Sequence, residues 1–123
     1  MNIIKEEEFN TIFKTSVFDS EVSGLFGKSK ASCKKFLTSL YSDLQRLDVQ
    51  DTPPSTYPFK KIKGVLKPIY RIEYKDKENN VRTIYYWHSQ KEKILLTAFK
   101  EKDISDYREA IDRALARLKE LGL

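Results

Sequence analysis

A single cysteine, a single histidine and only four glycines limit the chemistry this 123-residue chain can perform. Cys33 has no partner for an intramolecular disulfide, and a zinc site needs several clustered Cys and His ligands, so a reducing cytoplasm suits the chain. Gly24, Gly27, Gly64 and Gly122 stand in none of the spacings of a phosphate-cradling loop, which argues against nucleotide-cofactor and kinase chemistry. His88 has no Ser or Cys motif beside it, which argues against a Ser/His/Asp hydrolase. No window approaches the roughly 18 apolar residues of a membrane span. Residues Met1 to Lys5 run straight into Glu6-Glu7-Glu8 with no apolar stretch between, so no secretory signal is expected. These absences predict a soluble, cytoplasmic protein without membrane contact, metal or small-molecule cofactor.

What is present is a basic, aromatic C-terminal half. The length fits one domain, residues 1–123, with a single core. The formal charge is +5, but it is unevenly placed. Residues 1–50 hold 7 Lys+Arg and 7 Asp+Glu, whereas residues 60–102 hold 12 against 5. The positive excess therefore coincides with the stretch that reads as sheet, and favours a polyanionic partner.

Ile4, Phe9, Ile12 and Phe13 recur at near-helical spacing, predicting a short amphipathic helix over about residues 5–15. Gly24 and Gly27 mark residues 20–30 as a loop, after which Ser29 or Ser32 can cap a second helix. Its apolar face is Phe36, Leu37, Leu40, Tyr41, Leu44 and Leu47. Pro53 and Pro54 end this helical part, residues 1–50. Residues 57–66 read as an edge strand bracketed by Gly64 and Pro68. From Ile69 the period becomes two. Ile69 to Tyr74 and Val81 to His88 predict a hairpin around the turn 76–80, and the continuously apolar Ile94 to Phe99 predicts a central strand. Ser105 or Asp103 can cap a last helix over 104–121, with Tyr107, Ile111, Ala114, Leu115 and Leu118 on one stripe. The expected fold is α+β: an antiparallel sheet of three to four strands within residues 57–102, two N-terminal helices and a C-terminal helix.

On Val81 to His88, alternation separates Arg82, Ile84, Tyr86 and His88 from Val81, Thr83, Tyr85 and Trp87. The second set lacks charge and is assigned to the core, which leaves Arg82, Tyr86 and His88 nearer the opposite surface. Arg71 on the neighbouring strand, with Lys100 and Lys102 past the end of the last one, can add cations there. Such a group suits RNA, since cations neutralise phosphates and an exposed aromatic stacks on an unpaired base. An arginine within an apolar strand needs a ligand or a counter-charge, and Glu73 on the paired strand can be that counter-charge. If Arg82 is free, it can stabilise charge on a phosphorus centre attacked by a 2′-hydroxyl, without metal. Acid and base would come from His88, Tyr107, Glu73 or a lysine. Plain alternatives stand beside each: a Tyr- and Trp-rich strand is usually core, and Tyr107 lies on its helix's packing stripe.

The run IYRIEYKDKENNVRTIYYWHSQKEKILLTAFKEKDISDYREAIDRALARL resembles the sheet and final helix of the RelE/ParE superfamily of type II toxins, including its HigB-like branch. The likeness covers about residues 60–121. It lies in the aromatic-basic strand, the strand opening on Arg82, the apolar strand ending in Phe99 and lysines, and the alanine-bearing helix. It implies a RelE-like fold, metal-independent cleavage of mRNA on the ribosome, and silencing by a cognate antitoxin. Arg82 stands where those toxins keep an arginine on the scissile phosphate, Arg71 where they have a basic residue, Lys100 in their lysine-bearing segment, and Tyr107 at a tyrosine used in some members. Glu73 and Glu101 depart from the pattern, each standing where a basic residue is common. The functional expectation is a ribosome-dependent mRNA endoribonuclease using Arg82, Arg71, Tyr107 and His88, with Lys63, Lys100, Lys102 and Tyr86 contacting nucleic acid. The alternatives are a non-catalytic ParE-like relative acting on DNA gyrase, and a plain RNA-binding domain.

Overall fold

The computed structural model describes residues 1–76 and 79–123. Its elements, in chain order, are β1 (Ile3–Lys5), β2 (Ile12–Thr15), α1 (Phe18–Phe26), α2 (Lys30–Asp48), β3 (Phe59–Lys61), β4 (Ile69–Lys75), β5 (Asn80–Ser89), β6 (Glu92–Lys100) and α3 (Ile104–Glu120). The strands form one six-stranded sheet in the order β1-β2-β6-β5-β4-β3, antiparallel except for the parallel pair β2-β6. The meander β4-β5-β6 matches the sequence expectation, although Lys77 and Glu78 of its first turn lie outside the described residues.

Two expectations are overturned. The sheet is not a three- to four-stranded antiparallel one with two helices before it, because residues expected as the first helix supply two strands instead. Ile12 fits the spacing of an amphipathic helix, but Thr11, Ile12, Phe13 and Thr15 are β-branched or aromatic, and pairing against β6 buries Ile12 completely. Tertiary pairing outweighs a four-residue helical pattern that has too few turns to stand alone. The glycine-bearing stretch expected as a loop is instead largely α1, where Phe18, Val22 and Phe26 bury one face at i, i+4, i+8 spacing. Gly24 sits on that helix's open side and Gly27 ends it at φ 53°.

The sheet is covered on both faces. α1 and α2 pack on one, with Phe36, Leu40, Leu44 and Leu47 against Tyr70, Ile72, Val81, Tyr85 and Leu95. α3 packs on the other, with Ala110, Ala114 and Leu118 against Ile84, Tyr86, Ile94, Leu96 and Phe99. The face division of β5 holds, with Val81 and Tyr85 towards α2. The opposite side, however, is no surface, and all of residues 81–86 are buried. The placement of Arg82 and Tyr86 nearer the surface is therefore corrected: α3 and the loop after β3 cover that side.

α3 is held at its start by a capping box. The Asp103 carboxylate accepts from the Ser105 and Asp106 amides, and Asp106 accepts from the amides of Lys102 and Asp103. This box fixes how the chain leaves β6, and so places Glu101, Lys102 and Tyr107 against the hairpin end of the sheet.

Candidate nucleic-acid interface

The register of the central strands decides which expected site residues can meet. Glu73 lies opposite Arg82, and Arg71 lies opposite Ile84, so the two arginines are diagonal neighbours on the α3 face, with Cα atoms about 7–8 Å apart. Phe99 lies opposite Arg82 on its other side. The Tyr107 ring reaches from α3 to both flanks, stacking on Phe99 at 6.3 Å between centroids and lying 5.1 Å from the Arg71 guanidinium carbon. Tyr107 therefore roofs the lane that Arg82 occupies.

Beneath that roof Arg82 is only 5 % exposed. Its Nη2 donates to Glu101 Oε2 at 3.3 Å and its Nη1 to Asn80 Oδ1 at 3.2 Å. The expected counter-charge, Glu73, is engaged instead by Arg71 at 3.1 Å. Both arginines keep a buried Nε–H with no hydrogen-bond acceptor among the described residues. A guanidinium donor has a fixed direction and cannot rotate towards a partner as a hydroxyl can, so such an orphan is costly in a folded protein. Lys60 on β3 lies opposite Arg71 and is exposed, extending the cationic row to the sheet edge.

The remaining expected residues lie elsewhere. His88 is six residues beyond Arg82 on the same strand, roughly 20 Å away at strand rise, and its exposed ring leans on Tyr86 at 5.6 Å. Tyr86 is buried at 8 % exposure, in no position to stack on a base. Lys63, just past β3, sits at that same far end. Lys100 points to the other face, its Nζ 5.2 Å from the centroid of the Phe26 ring of α1. Lys102 is exposed beside Glu101. The structure thus assembles Arg71, Arg82 and Tyr107, with Lys102 at the margin, and leaves out His88, Tyr86, Lys63 and Lys100.

Two further charged centres escaped the sequence reading. Lys93, just before the run expected as the central strand, is fully buried within β6, where its ammonium donates to Gln90 O (2.6 Å), Thr11 Oγ1 (3.0 Å), Gln50 O (3.2 Å) and Asp48 O (3.3 Å). Burial pushes its pKa down, with Asp48 and Asp51 opposing. It ties the end of α2 to the sheet. Glu21 of α1 sits where β2 has ended and leaves the edge of β6 open. It accepts from the Ala98 amide, the Thr97 hydroxyl and both terminal nitrogens of Arg117, at 2.6 to 3.1 Å. Burial would raise its pKa, but the hydrogen bonds from Arg117 and Thr97 hold it below the ordinary value. The one available signal was the Arg113/Arg117 pair at i, i+4 beside the apolar stripe of the last helix.

No helix among the described residues is long and apolar enough to cross a membrane. Comparison with models of protein families, with curated proteins and with solved structures gives no match.

Proposed function

We propose that this chain acts on RNA, as a toxin of the RelE/HigB-like kind, through the face built by Arg71, Arg82 and Tyr107. The observation that carries the reading is the pair of diagonal guanidinium groups under one tyrosine, each with an Nε–H that nothing among the described residues accepts. A phosphodiester supplies the missing acceptors: its two non-bridging oxygens fit the Nε–Nη edge of an arginine. Lys60 and Lys102 would meet neighbouring phosphates, and Tyr107, half-buried, offers its ring edge to a base beside Arg71. In cleavage, Arg82 would stabilise the charge that builds on phosphorus as the adjacent 2′-hydroxyl attacks. The fitting substrate is mRNA presented single-stranded on the ribosome, in the cytoplasm, with an antitoxin protein as the silencing partner.

A second reading, RNA binding without cleavage, is favoured by a specific observation. Arg82 is engaged by Glu101, and the only imidazole is roughly 20 Å along the strand, so neither the charge stabiliser nor a histidine acid or base stands ready. Induced expression in a bacterium with mapping of mRNA 5′ ends separates the two. Codon-phased cuts that vanish in Arg82→Ala support cleavage. Intact mRNA together with salt-sensitive binding of single-stranded RNA in vitro supports the second reading. Intact mRNA and no RNA binding overturns both, and growth arrest with DNA damage would point to a gyrase-directed relative instead.

A further inference from the structure

We propose that Glu73 and Glu101 are resident stand-ins for RNA phosphate, keeping the free protein in a low-affinity state until a phosphodiester takes their place; this rests on the RNA reading above. Each carboxylate meets its arginine through one terminal nitrogen, Arg71–Glu73 at 3.1 Å and Arg82–Glu101 at 3.3 Å. These contacts are longer than the ~2.7–2.9 Å of a strong charge-assisted bond, and neither uses the side-on Nε–Nη edge. The contrast lies in the same molecule. Glu21 grips Arg117 through both oxygens at 2.8 and 2.9 Å. The carboxylates at the candidate face neutralise their arginines without saturating them, so a better-matched oxyanion can compete.

The two differ in freedom. Glu73 is fixed on β4 between neighbouring strands and is mostly buried. Glu101 lies just past the end of β6, with its backbone amide bonded to Asn80 O at 2.8 Å and its side chain 23 % exposed. Its carboxylate can swing into solvent by side-chain rotation alone, with no change in the sheet or in the capping box of α3. Glu101 is therefore the gate, and Glu73 the fixed competitor for Arg71. The exchange is non-covalent: one carboxylate leaves a guanidinium and one phosphodiester arrives, with no change in protonation required.

The test measures binding of a fluorescently labelled single-stranded RNA oligonucleotide by anisotropy at fixed low salt. Compared are the wild type, Glu101→Gln, Glu73→Gln and the control Glu8→Gln, which removes the same charge from an exposed turn beyond β1 at the opposite sheet edge. Glu101→Gln is expected to bind on the order of tenfold tighter than wild type, Glu73→Gln to move in the same direction, and Glu8→Gln to change by less than about twofold. The gain should disappear in the double variant Glu101→Gln/Arg82→Lys, which keeps the charge but loses the fork. Glu101→Asp keeps the charge and shortens the reach, so it should tighten binding by an intermediate factor; it serves as the second variant if Glu101→Gln folds poorly by circular dichroism. Equal affinities for wild type, Glu101→Asp and Glu101→Gln would overturn the gate while leaving the RNA reading standing. Absence of RNA binding in every variant would overturn the RNA reading itself.

Discussion

The two arginine clusters on the α3 side of the sheet use the same side-chain chemistry to different ends. At the β6 edge, one carboxylate serves Arg117 twice, the Thr97 hydroxyl and the Ala98 amide, while Arg113 Nε donates to Thr97 at 2.9 Å and Arg117 also reaches Leu96 O at 2.7 Å. This cluster replaces a missing strand. β2 stops at Thr15, and without Glu21 the β6 amide at Ala98 would have no partner. At the hairpin end, each arginine has one single-point carboxylate and one orphan Nε. Among the described residues the first cluster leaves no buried guanidinium N–H without an acceptor, and the second leaves two. Completeness of hydrogen bonding, more than burial or charge, separates an arginine that holds the fold from one available to a ligand.

Matched substitutions give the largest expected effect. Arg117→Met removes the two closest cationic donors from the Glu21 carboxylate, leaving it Arg113 Nε at 3.5 Å, and takes the donor from Leu96 O; it should cost about 3 kcal/mol of unfolding free energy, read from the urea midpoint at constant slope. Arg82→Met removes an incompletely bonded guanidinium, replaces it with an apolar chain under Tyr107, and leaves Glu101 able to turn to water. Its expected cost is about 1 kcal/mol or less. Equal costs for the two would erase the distinction between the clusters.

Lys93 extends the comparison to a third buried cation, one held by four oxygens and the face of the Trp87 ring. Lys93→Met leaves the carbonyls of Asp48, Gln50 and Gln90 without their shared donor and loosens the join between α2 and β6. Relief of the buried charge offsets part of the loss, so about 2 kcal/mol is expected. Hydrogen exchange at the last turn of α2 should quicken more than exchange in β5.

Acid titration tests the same division by pH. Glu21 has its folded pKa lowered from 4.5 and Asp48 from 3.8: burial pushes each up, but hydrogen bonds from Arg117 and Thr97 to the one, and from Thr11 and the amides of Asn10 and Thr11 to the other, prevail. A carboxyl whose folded pKa is depressed contributes stability fully above its unfolded value and loses it as pH falls through the folded one. The urea midpoint should therefore hold steady above pH 4.5 and decline below it. The decline should be shallower in Glu21→Gln.

Much of the meander was legible in the sequence, and the edges were not. Strands β4 and β5 announce themselves through alternation rich in β-branched and aromatic residues, and β6 through a short, continuously apolar run. β1 and β2 have three and four residues, too few for a period; β2 is a strand because β6 offers it an edge, and β1 because β2 then does. The face of Arg82 was correctly separated from that of Tyr85, yet its exposure was misjudged, since alternation tells which residues share a side and nothing about what covers that side. Arg71, Arg82 and Tyr107 could be named as candidates because charge and aromaticity stand out locally, but only the folded chain shows that they meet. Glu21 and Arg117 are 96 residues apart and carry no local mark, so only the folded chain pairs them.

The smallest expected effect concerns affinity and not stability. Arg71 is the more accessible of the two hairpin-end arginines, with 16 % of its side chain exposed against 6 % for Arg82, so it should be the first to touch a phosphate. Arg71→Ala should weaken binding of single-stranded RNA severalfold at low salt and lower the slope of log affinity against log salt by about one, since one fewer counterion is released. Arg117→Ala, in a protein kept folded well below its urea midpoint, should leave that slope unchanged, because its guanidinium already makes three bonds to Glu21 and Leu96 and keeps no buried N–H without an acceptor among the described residues. A salt slope that drops equally in both variants would mean that RNA senses only the overall charge of the chain, and that the unsatisfied donors at the hairpin end confer no preference for phosphate.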